Sequence, residues 1–342
     1  MKIAIVVNPL IPVPPEKYGG IERIVFMLIQ ELKFNGHDIT LFAHSQSQAG
    51  CNLIPYTEAP YYGLLDIIRI NILTSKISFN NFDLVHTFGR MSNIALLMLS
   101  KIPKIVSYQL PPTISQLKRA VKLSRNNSLY FTACSNFIAN QISLYGNVTT
   151  IYNGVNTLNY DFNNNVSEDA PLVFLGRIQK EKGTHIAIEV AKRTDRKLII
   201  AGNIPLENIH QHYFNEMVKP CIDDNQIIYI GAVNDEQKND LLGNAFAFLM
   251  PVTWGEPFGI VMAEALACGT PVIGFRQGAI PEIVIDGVNG FVCNNTDEMI
   301  DAVNRIELID RSACRKIAEE KFSSTVLGRQ YEQLYFTITA KR

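Results

Sequence analysis

Residues 246–269 read Phe246-Ala247-Phe248-Leu249-Met250-Pro251-Val252-Thr253-Trp254-Gly255-Glu256-Pro257-Phe258-Gly259-Ile260-Val261-Met262-Ala263-Glu264-Ala265-Leu266-Ala267-Cys268-Gly269. The apolar run Phe246–Met250 is short and β-rich, as a buried strand should be. A Pro/Gly loop holding Glu256 follows it. A helix is predicted from about Phe258, with Val261, Ala265 and Leu266 on its buried side and Gly269 closing it as a C-cap. Glu256 then stands just before a helix N-terminus and Glu264 about two turns inside. At a rise of ~1.5 Å per residue, their spacing puts them on the order of 12 Å apart. A glutamate flanked by alanines in a helix is ordinarily solvent-facing. This one falls between apolar neighbours near a Gly-rich loop, which makes it a candidate site residue.

The same alternation of short apolar runs and longer amphipathic stretches extends in both directions. Upstream, strands are predicted at Ile3–Val7, Ile39–Phe42, Leu84–His86, Ile105–Tyr108, Tyr130–Ala133 and Thr150–Tyr152. The clearest helix between them is Ile21–Phe34, where Ile21, Ile24, Val25, Leu28, Ile29 and Leu32 form one apolar stripe. Residues Asn159–Ala170 are polar, Asn-rich and aperiodic, and read as a linker. After it the alternation restarts, with strands predicted at Leu172–Leu175, Lys197–Ala201, Ile227–Ile230, Phe246–Met250, Val272–Ile273 and Phe291–Val292, and a helical tail at about Ser323–Ala340. Continuous apolar runs suit parallel strands covered on both faces. Two successive doubly wound α/β domains follow, 1–165 and 166–322, with a C-terminal helix at 323–342. Ligands of such sheets bind outside the carboxyl ends of the strands, and two such domains make the interdomain cleft the default site.

Composition agrees. A length of 342 residues suits two domains. A content of 47% hydrophobic and 18% charged residues supports a sizeable core and excludes a disordered chain. The longest apolar runs, such as Ala245–Val252, fall far short of the ~18 residues a membrane span needs. The start, Met1–Asn8, reads as a buried strand rather than a signal peptide. Six scattered cysteines without a Cys-x-x-Cys pair form neither a zinc framework nor a disulfide scaffold. They read as buried small hydrophobes in a reducing cytoplasm.

Two further loops carry candidate chemistry. Tyr18-Gly19-Gly20-Ile21-Glu22-Arg23 follows a Pro-rich loop and opens a helix. Glycine permits close backbone approach and free helix-start amides attract anions, so the segment suits a phosphate; a plain tight turn is the alternative. Gly176-Arg177-Ile178-Gln179-Lys180-Glu181-Lys182-Gly183 follows the first strand of the second domain. A planar guanidinium and a mobile ammonium five residues apart can converge on one diphosphate; a solvated charged loop is the alternative. The Gly-x-Gly-x-x-Gly and Walker fingerprints are absent from the first of these loops.

Together these segments resemble glycosyltransferase family 4, retaining enzymes of the GT-B fold. Asp83-Leu84-Val85-His86, Ala133-Cys134-Ser135, Ile151-Tyr152-Asn153-Gly154-Val155-Asn156 and Tyr229-Ile230-Gly231-Ala232-Val233 extend the resemblance over nearly the whole chain. It implies two Rossmann-like domains facing each other across a cleft, and a C-terminal helix crossing back onto the first. It implies that Arg177 and Lys182, in the loop opened by Gly176, bind the donor diphosphate and stabilise the leaving group. Glu256, with backbone amides around Phe258, Gly259 and Ile260, would hold the sugar hydroxyls and the phosphate. Glu264 would accept hydrogen bonds from the ribose. Gly19 and Gly20 would reach the phosphates, and Ala232 would meet the base through its backbone. The implied catalytic set is Arg177, Lys182 and Glu256, acting on a nucleotide-sugar without metal or other cofactor. The reaction is transfer to a glycan, lipid-linked or small-molecule acceptor, as in surface polysaccharide or glycoconjugate synthesis.

The chain departs from the family pattern at Gln109, where many members carry a histidine facing the donor sugar. Glutamine can hydrogen-bond a hydroxyl but cannot carry charge. His86 and Gln109 are the acceptor-side candidates, with a buried structural role the alternative for His86. Asn156 replaces a common aspartate. Two other readings stay open: a non-catalytic sugar-nucleotide-binding partner subunit, and another GT-B enzyme such as a nucleotide-sugar epimerase or phosphorylase. The formal charge of −1 hides an asymmetry. Residues 1–165 hold 13 basic and 8 acidic side chains, and residues 84–160 hold Arg90, Lys101, Lys104, Lys118, Arg119, Lys122 and Arg125 with no acid at all. Nucleic acid is not an expected partner. Peripheral contact of this basic domain with an anionic membrane, at the inner face, is the expectation, against a merely solvated basic surface.

Overall fold

A computed structural model describes residues 1–15, 19–56, 63–125 and 127–340. Tyr18 of the expected glycine loop lies outside them. The chain divides into two compact units, Met1–Gly154 joined by the segment from Ser324 onward, and Val155–Ser323. The division falls at Gly154/Val155, earlier than the expected 165.

Unit 1 is built on strands β1 (Lys2–Val6), β2 (Asp38–Ala43), β3 (Asn52–Pro55), β4 (Leu84–Thr87), β5 (Lys104–Tyr108), β6 (Leu129–Ala133) and β7 (Val148–Thr150). They form one parallel sheet in the order β3-β2-β1-β4-β5-β6-β7. Helices α1 (Gly20–Phe34), α2 (Leu64–Ser75), α3 (Ile114–Leu123) and α4 (Asn136–Ile142) connect them. The sheet reverses direction of travel between β1 and β4, the switch point at which open α/β sheets bind ligands. β3 escaped the sequence reading because it is a four-residue edge strand, largely exposed and ending in proline. α1 follows its predicted stripe: Ile24, Val25, Leu28, Ile29 and Leu32 are fully buried, each stabilising by ~1.5–3 kcal/mol.

Unit 2 carries β8 (Leu172–Leu175), β9 (Leu198–Ala201), β10 (Ile227–Gly231), β11 (Ala247–Met250), β12 (Val272–Phe275) and β13 (Gly290–Cys293), parallel in the order β10-β9-β8-β11-β12-β13. Its helices are α5 (Thr184–Arg193), α6 (Asn208–Tyr213), α7 (Asp235–Gly243), α8 (Ile260–Ala267), α9 (Ile280–Ile283), α10 (Thr296–Val303) and α11 (Arg311–Phe322). The expected linker is part of this unit. Asp161 N bonds Asn239 Oδ1, Asn163 N bonds Cys268 O, and Arg311 and Arg315 donate to the carbonyls of Asn163 and Tyr160. Backbone groups of this segment are therefore held by partners within unit 2 rather than left to solvent as in a free linker. Cys134, Cys268, Cys293 and Cys314 are buried as expected, whereas Cys51 and Cys221 are only half-buried.

The last helix, α12 (Ser324–Thr339), packs on α1 and completes unit 1. A small residue permits it: a Cβ on Gly328 would stand 2.5 Å from Glu31 Cβ. Polar pairs set its position. Ser324 Oγ donates to Glu31 Oε1 at 2.7 Å, and His37 Nε2 lies 2.7 Å from Glu332 Oε1. Deeper in, His86 Nδ1 is hydrogen-bonded to Tyr335 OH at 2.5 Å and Nε2 to Ser107 Oγ at 2.6 Å. Ser107 Oγ continues to Thr132 Oγ1 and Tyr331 OH. The chain of bonds runs from β4 through β5 and β6 to α12. His86 is 0% exposed, so the acceptor-side expectation for it is corrected: both ring nitrogens are consumed by the core.

Burial lowers the His86 pKa from 6.5 to about 3. In the unfolded chain it protonates near its ordinary value. Between about pH 6.5 and 3 only the unfolded chain takes up this proton, so stability present above the window is lost as pH falls through it. Thermal melts of His86→Gln should start lower at pH 7 and fall less steeply from pH 7 to pH 4 than those of the wild type. Parallel curves would assign the acid loss to other groups.

Candidate functional site

In unit 2 the site is built at the carboxyl ends of β8 and β11. Gly176 and Arg177 leave β8, and a short 3-10 turn, Lys180–Lys182, follows. Gly183 then adopts φ +78° and caps α5; a Cβ there would collide with the Pro251 carbonyl. Only glycine gives both the left-handed conformation and this approach to the loop after β11. The approach delivers Lys182 Nζ to Glu256 Oε2 at 2.7 Å. The Trp254 indole N–H donates to the same oxygen at 3.0 Å, and Lys182 Nζ lies 4.8 Å from the centre of the Trp254 ring. Glu256 is buried, and its Oε1 has no hydrogen-bond partner among the described residues.

Directly after Glu256 the chain enters α8. Gly259, at φ +75°, is its N-cap and supplies no side-chain cap; Met262 N bonds Gly259 O, and the Ile260 and Val261 amides have no hydrogen-bond acceptor among the described residues. Helix-start amides with the macrodipole behind them favour an anion. Phe258 is expected to act only through its backbone, and its side chain indeed belongs to the core, edge-on to Phe322 at 5.9 Å. α8 differs from expectation in having no single buried side. Met262–Ala267 are all buried while Val261 is half-buried, because the helix lies between β11, β12 and α11.

Glu264 is buried inside α8 and does not join Lys182. Its Oε1 accepts from Lys238 Nζ at 2.5 Å and from Tyr160 OH at 2.8 Å. Lys238, on α7, also reaches Asp235 at 3.2 Å. Burial and the Glu264 charge push the Tyr160 phenol well above its ordinary pKa, so it remains a donor. Ala232 lies exposed just beyond β10, where Gly231 turns the chain at φ +74°.

The unit 1 candidates separate into three kinds. Gly19 is a packing glycine: a Cβ would stand 2.7 Å from Pro15 Cβ and 3.0 Å from Glu22 Oε2. Gly20 begins α1, which has no side-chain cap, and nothing among the described residues lies within 4 Å of such a Cβ. Burial raises the pKa of Glu22 in the same turn. Gln109 sits just past β5, half-buried, and its Oε1 accepts from Asn153 Nδ2 at 2.7 Å.

Three contributors went unassigned by sequence reasoning. Trp254 stood in the quoted stretch but indole-to-carboxylate donation has no spacing signature. Tyr160 was hidden in the apparent linker. Lys238 sits in the polar run Asp235-Glu236-Gln237-Lys238-Asn239-Asp240, where a lysine looks like any solvated surface residue.

Comparison with known proteins places this architecture. Residues 18–158 match the model for Glycosyltransferase Family 4, and residues 158–322 the model for Glycosyl transferases group 1. A protein described as an uncharacterized 41.2 kDa protein in the cps region of Klebsiella pneumoniae is 29% identical over 49% of this chain and 46% of its own length. An uncharacterized glycosyltransferase, MJ1607, of Methanocaldococcus jannaschii is 28% identical over 55% of this chain and 53% of its own. These alignments thus span about half the length of the curated relatives. The Anabaena protein Alr3699/HepE, solved in complex with UDP-glucose, superposes with a TM-score of 0.77 at 18% identity, over 98% of this chain and 99% of that one, a likeness of fold. With both halves matched, two parallel-sheet α/β units and a GT-B neighbour of full length, the chain belongs to the family 4 glycosyltransferases.

Proposed function

We propose that the chain transfers a sugar, with retention of configuration, from a nucleoside-diphosphate sugar to a glycan, lipid-linked or small-molecule acceptor. The observation that carries this reading is the Lys182–Glu256 pair set beside the open N-terminus of α8. In the reaction the bond from the sugar's anomeric carbon to the diphosphate breaks and negative charge grows on the leaving oxygen. Lys182, Arg177 and the α8 amides supply positive potential there, favouring the transition state over the ground state. The acceptor hydroxyl attacks from the same face, and its proton passes to the leaving phosphate. Glu256, with Oε2 held by Lys182 and Trp254, presents Oε1 to the sugar hydroxyls. Gly20 and the start of α1 add phosphate contacts, and Ala232 meets the base. The UDP and UDP-glucose complexes of the Anabaena neighbour support a nucleotide-sugar donor. The chemistry as proposed runs on these side chains without a metal. Gln109 favours a second reading, a binding subunit without turnover, because it lacks an ionisable group and already accepts a bond from Asn153.

No helix among the described residues is long and apolar enough to cross a membrane. The proposed membrane contact is peripheral and rests on α2 and α3. α2 turns polar Asn71 and Thr74 inward, onto the backbone of Ser92 and Asn93, and leaves Leu64 (73% exposed), Leu65, Ile68 and Ile72 facing water. Both helices pack on residues 96–99, where Leu96 and Leu99 are also exposed. Exposed Lys118, Arg119 and Lys122 lie on α3, and exposed Lys101 and Arg125 lie on the segments after residue 99 and after α3. One detail differs from the sequence reading: Lys104, counted there among the basic residues, is buried and donates to Ser100 O, Ile102 O and Ser128 Oγ. Apolar side chains bordered by cations match an anionic lipid surface.

Two measurements test these readings. Incubation with UDP-, GDP-, ADP- and TDP-sugars should release nucleoside diphosphate from at least one. Lys182→Ala and Glu256→Ala should each lower that turnover at least ~100-fold, the scale of a charge-assisted hydrogen bond lost from the transition state, and each should melt lower but still cooperatively, because its buried partner is left unpaired. Donor binding without release would favour the subunit reading. In sedimentation at low salt the protein should follow anionic but not zwitterionic vesicles, and Leu65→Ser with Lys122→Glu should weaken this several-fold. Equal recovery with both vesicle types would remove the membrane contact.

A further inference from the structure

Both glutamates of the quoted stretch are held the same way. On Glu256, one oxygen takes a lysine and an aromatic donor, Lys182 and Trp254; on Glu264, one oxygen takes Lys238 and Tyr160. In each case the ammonium also faces the aromatic ring, at 4.8 Å for Lys182 over Trp254 and 5.6 Å for Lys238 over Tyr160. The second clamp draws on distant parts of the chain, the segment before β8 and the first turns of α7. Lys238 and Glu264 are both nearly enclosed, with side chains 12% and 6% exposed. Glu264 Oε2 has no hydrogen-bond partner among the described residues, both donors being spent on Oε1. A buried carboxylate with one oxygen doubly satisfied and the other open is fixed in rotation and offers one acceptor in one direction.

We propose that Lys238 and Tyr160 are positioning residues that fix Glu264 so that Oε2 receives the ribose hydroxyls of the donor nucleotide, and thereby set the preference for ribo- over deoxyribonucleotides. This rests on the reading of Glu264 as the ribose acceptor. Lys238 supplies the buried carboxylate with a counter-charge, and Tyr160 fixes its rotamer. Neither touches the nucleotide. A ligand without the hydroxyl leaves the aimed oxygen unpaired, and an unaimed oxygen no longer distinguishes the two ligands.

The test measures, by calorimetry, Kd for ADP, GDP and UDP and for the 2′-deoxy and 3′-deoxy counterpart of whichever binds best. Wild type should favour the ribonucleotide about tenfold or more over at least one deoxy form. Glu264→Gln, Lys238→Met and Tyr160→Phe should each bring that ratio near unity, Lys238→Arg should restore part of it, and inorganic pyrophosphate affinity should stay unchanged throughout. If Glu264→Gln removes the preference while Lys238→Met and Tyr160→Phe keep it, the positioning role is overturned and the ribose reading stands. If Glu264→Gln itself keeps the wild-type ratio, the ribose reading falls and the proposal with it. Tyr160→Phe removes a single hydroxyl, so the test holds even where Lys238→Met fails to fold.

Discussion

A carboxylate taken below the surface of a protein stays charged only if something there compensates it, and unit 2 carries two such carboxylates on one strand-loop-helix segment. Removing either from water costs several kcal/mol unless a partner and hydrogen bonds replace the lost hydration. Lys182 and Lys238 provide those partners from different elements. The requirement constrains much of the unit. It explains why a 3-10 turn must press against the loop after β11, hence Gly183 beside the Pro251 carbonyl. It also explains why the segment before β8 runs back over α8 and α7, and why α7 begins where its lysine can reach inward. Each pairing leaves one carboxylate oxygen without a hydrogen-bond partner among the described residues.

Unit 1 solves a different problem with neutral groups. Its C-terminal helix must be held on a sheet from which it is far removed in sequence, and apolar contact alone specifies position weakly. Hydroxyls and one imidazole link β4, β5, β6 and α12 in a closed series. Each member is satisfied only when the helix sits at one height and rotation, since a displaced α12 would leave buried donors and acceptors unmade. His86 is neutral there because burial without a counter-charge disfavours its cation. The contrast with unit 2 is instructive. The neutral network registers elements against each other, while each charged pair fixes one buried carboxylate.

Much of the fold was legible because parallel strands covered on both faces require short apolar runs, and these recur where β1, β2, β4 to β6 and β8 to β13 lie. β3 was not, since an exposed edge strand carries no burial signal. Among site residues, Lys182 and Glu256 were legible as members of glycine-bracketed loops at strand ends, and the structure joins them. His86 stayed open between an acceptor-side and a buried structural role because a strand-end histidine has the same local sequence whether it faces a cleft or a returning helix, and burial selects the second.

The sequence by itself determined two parallel-sheet α/β units, the loops that bear charge, and membership in a glycosyltransferase family, because periodicity, glycine placement and local motifs are properties of neighbouring residues. Only the tertiary structure decided that Tyr160 and Lys238 belong to Glu264, that Trp254 belongs to Glu256, that His86 belongs to α12, and that α2 turns its leucines outward. These pairings join residues up to 249 positions apart. Hydrogen bonds and ion pairs act over about 3 Å in space and are blind to distance along the chain, so no local pattern announces them.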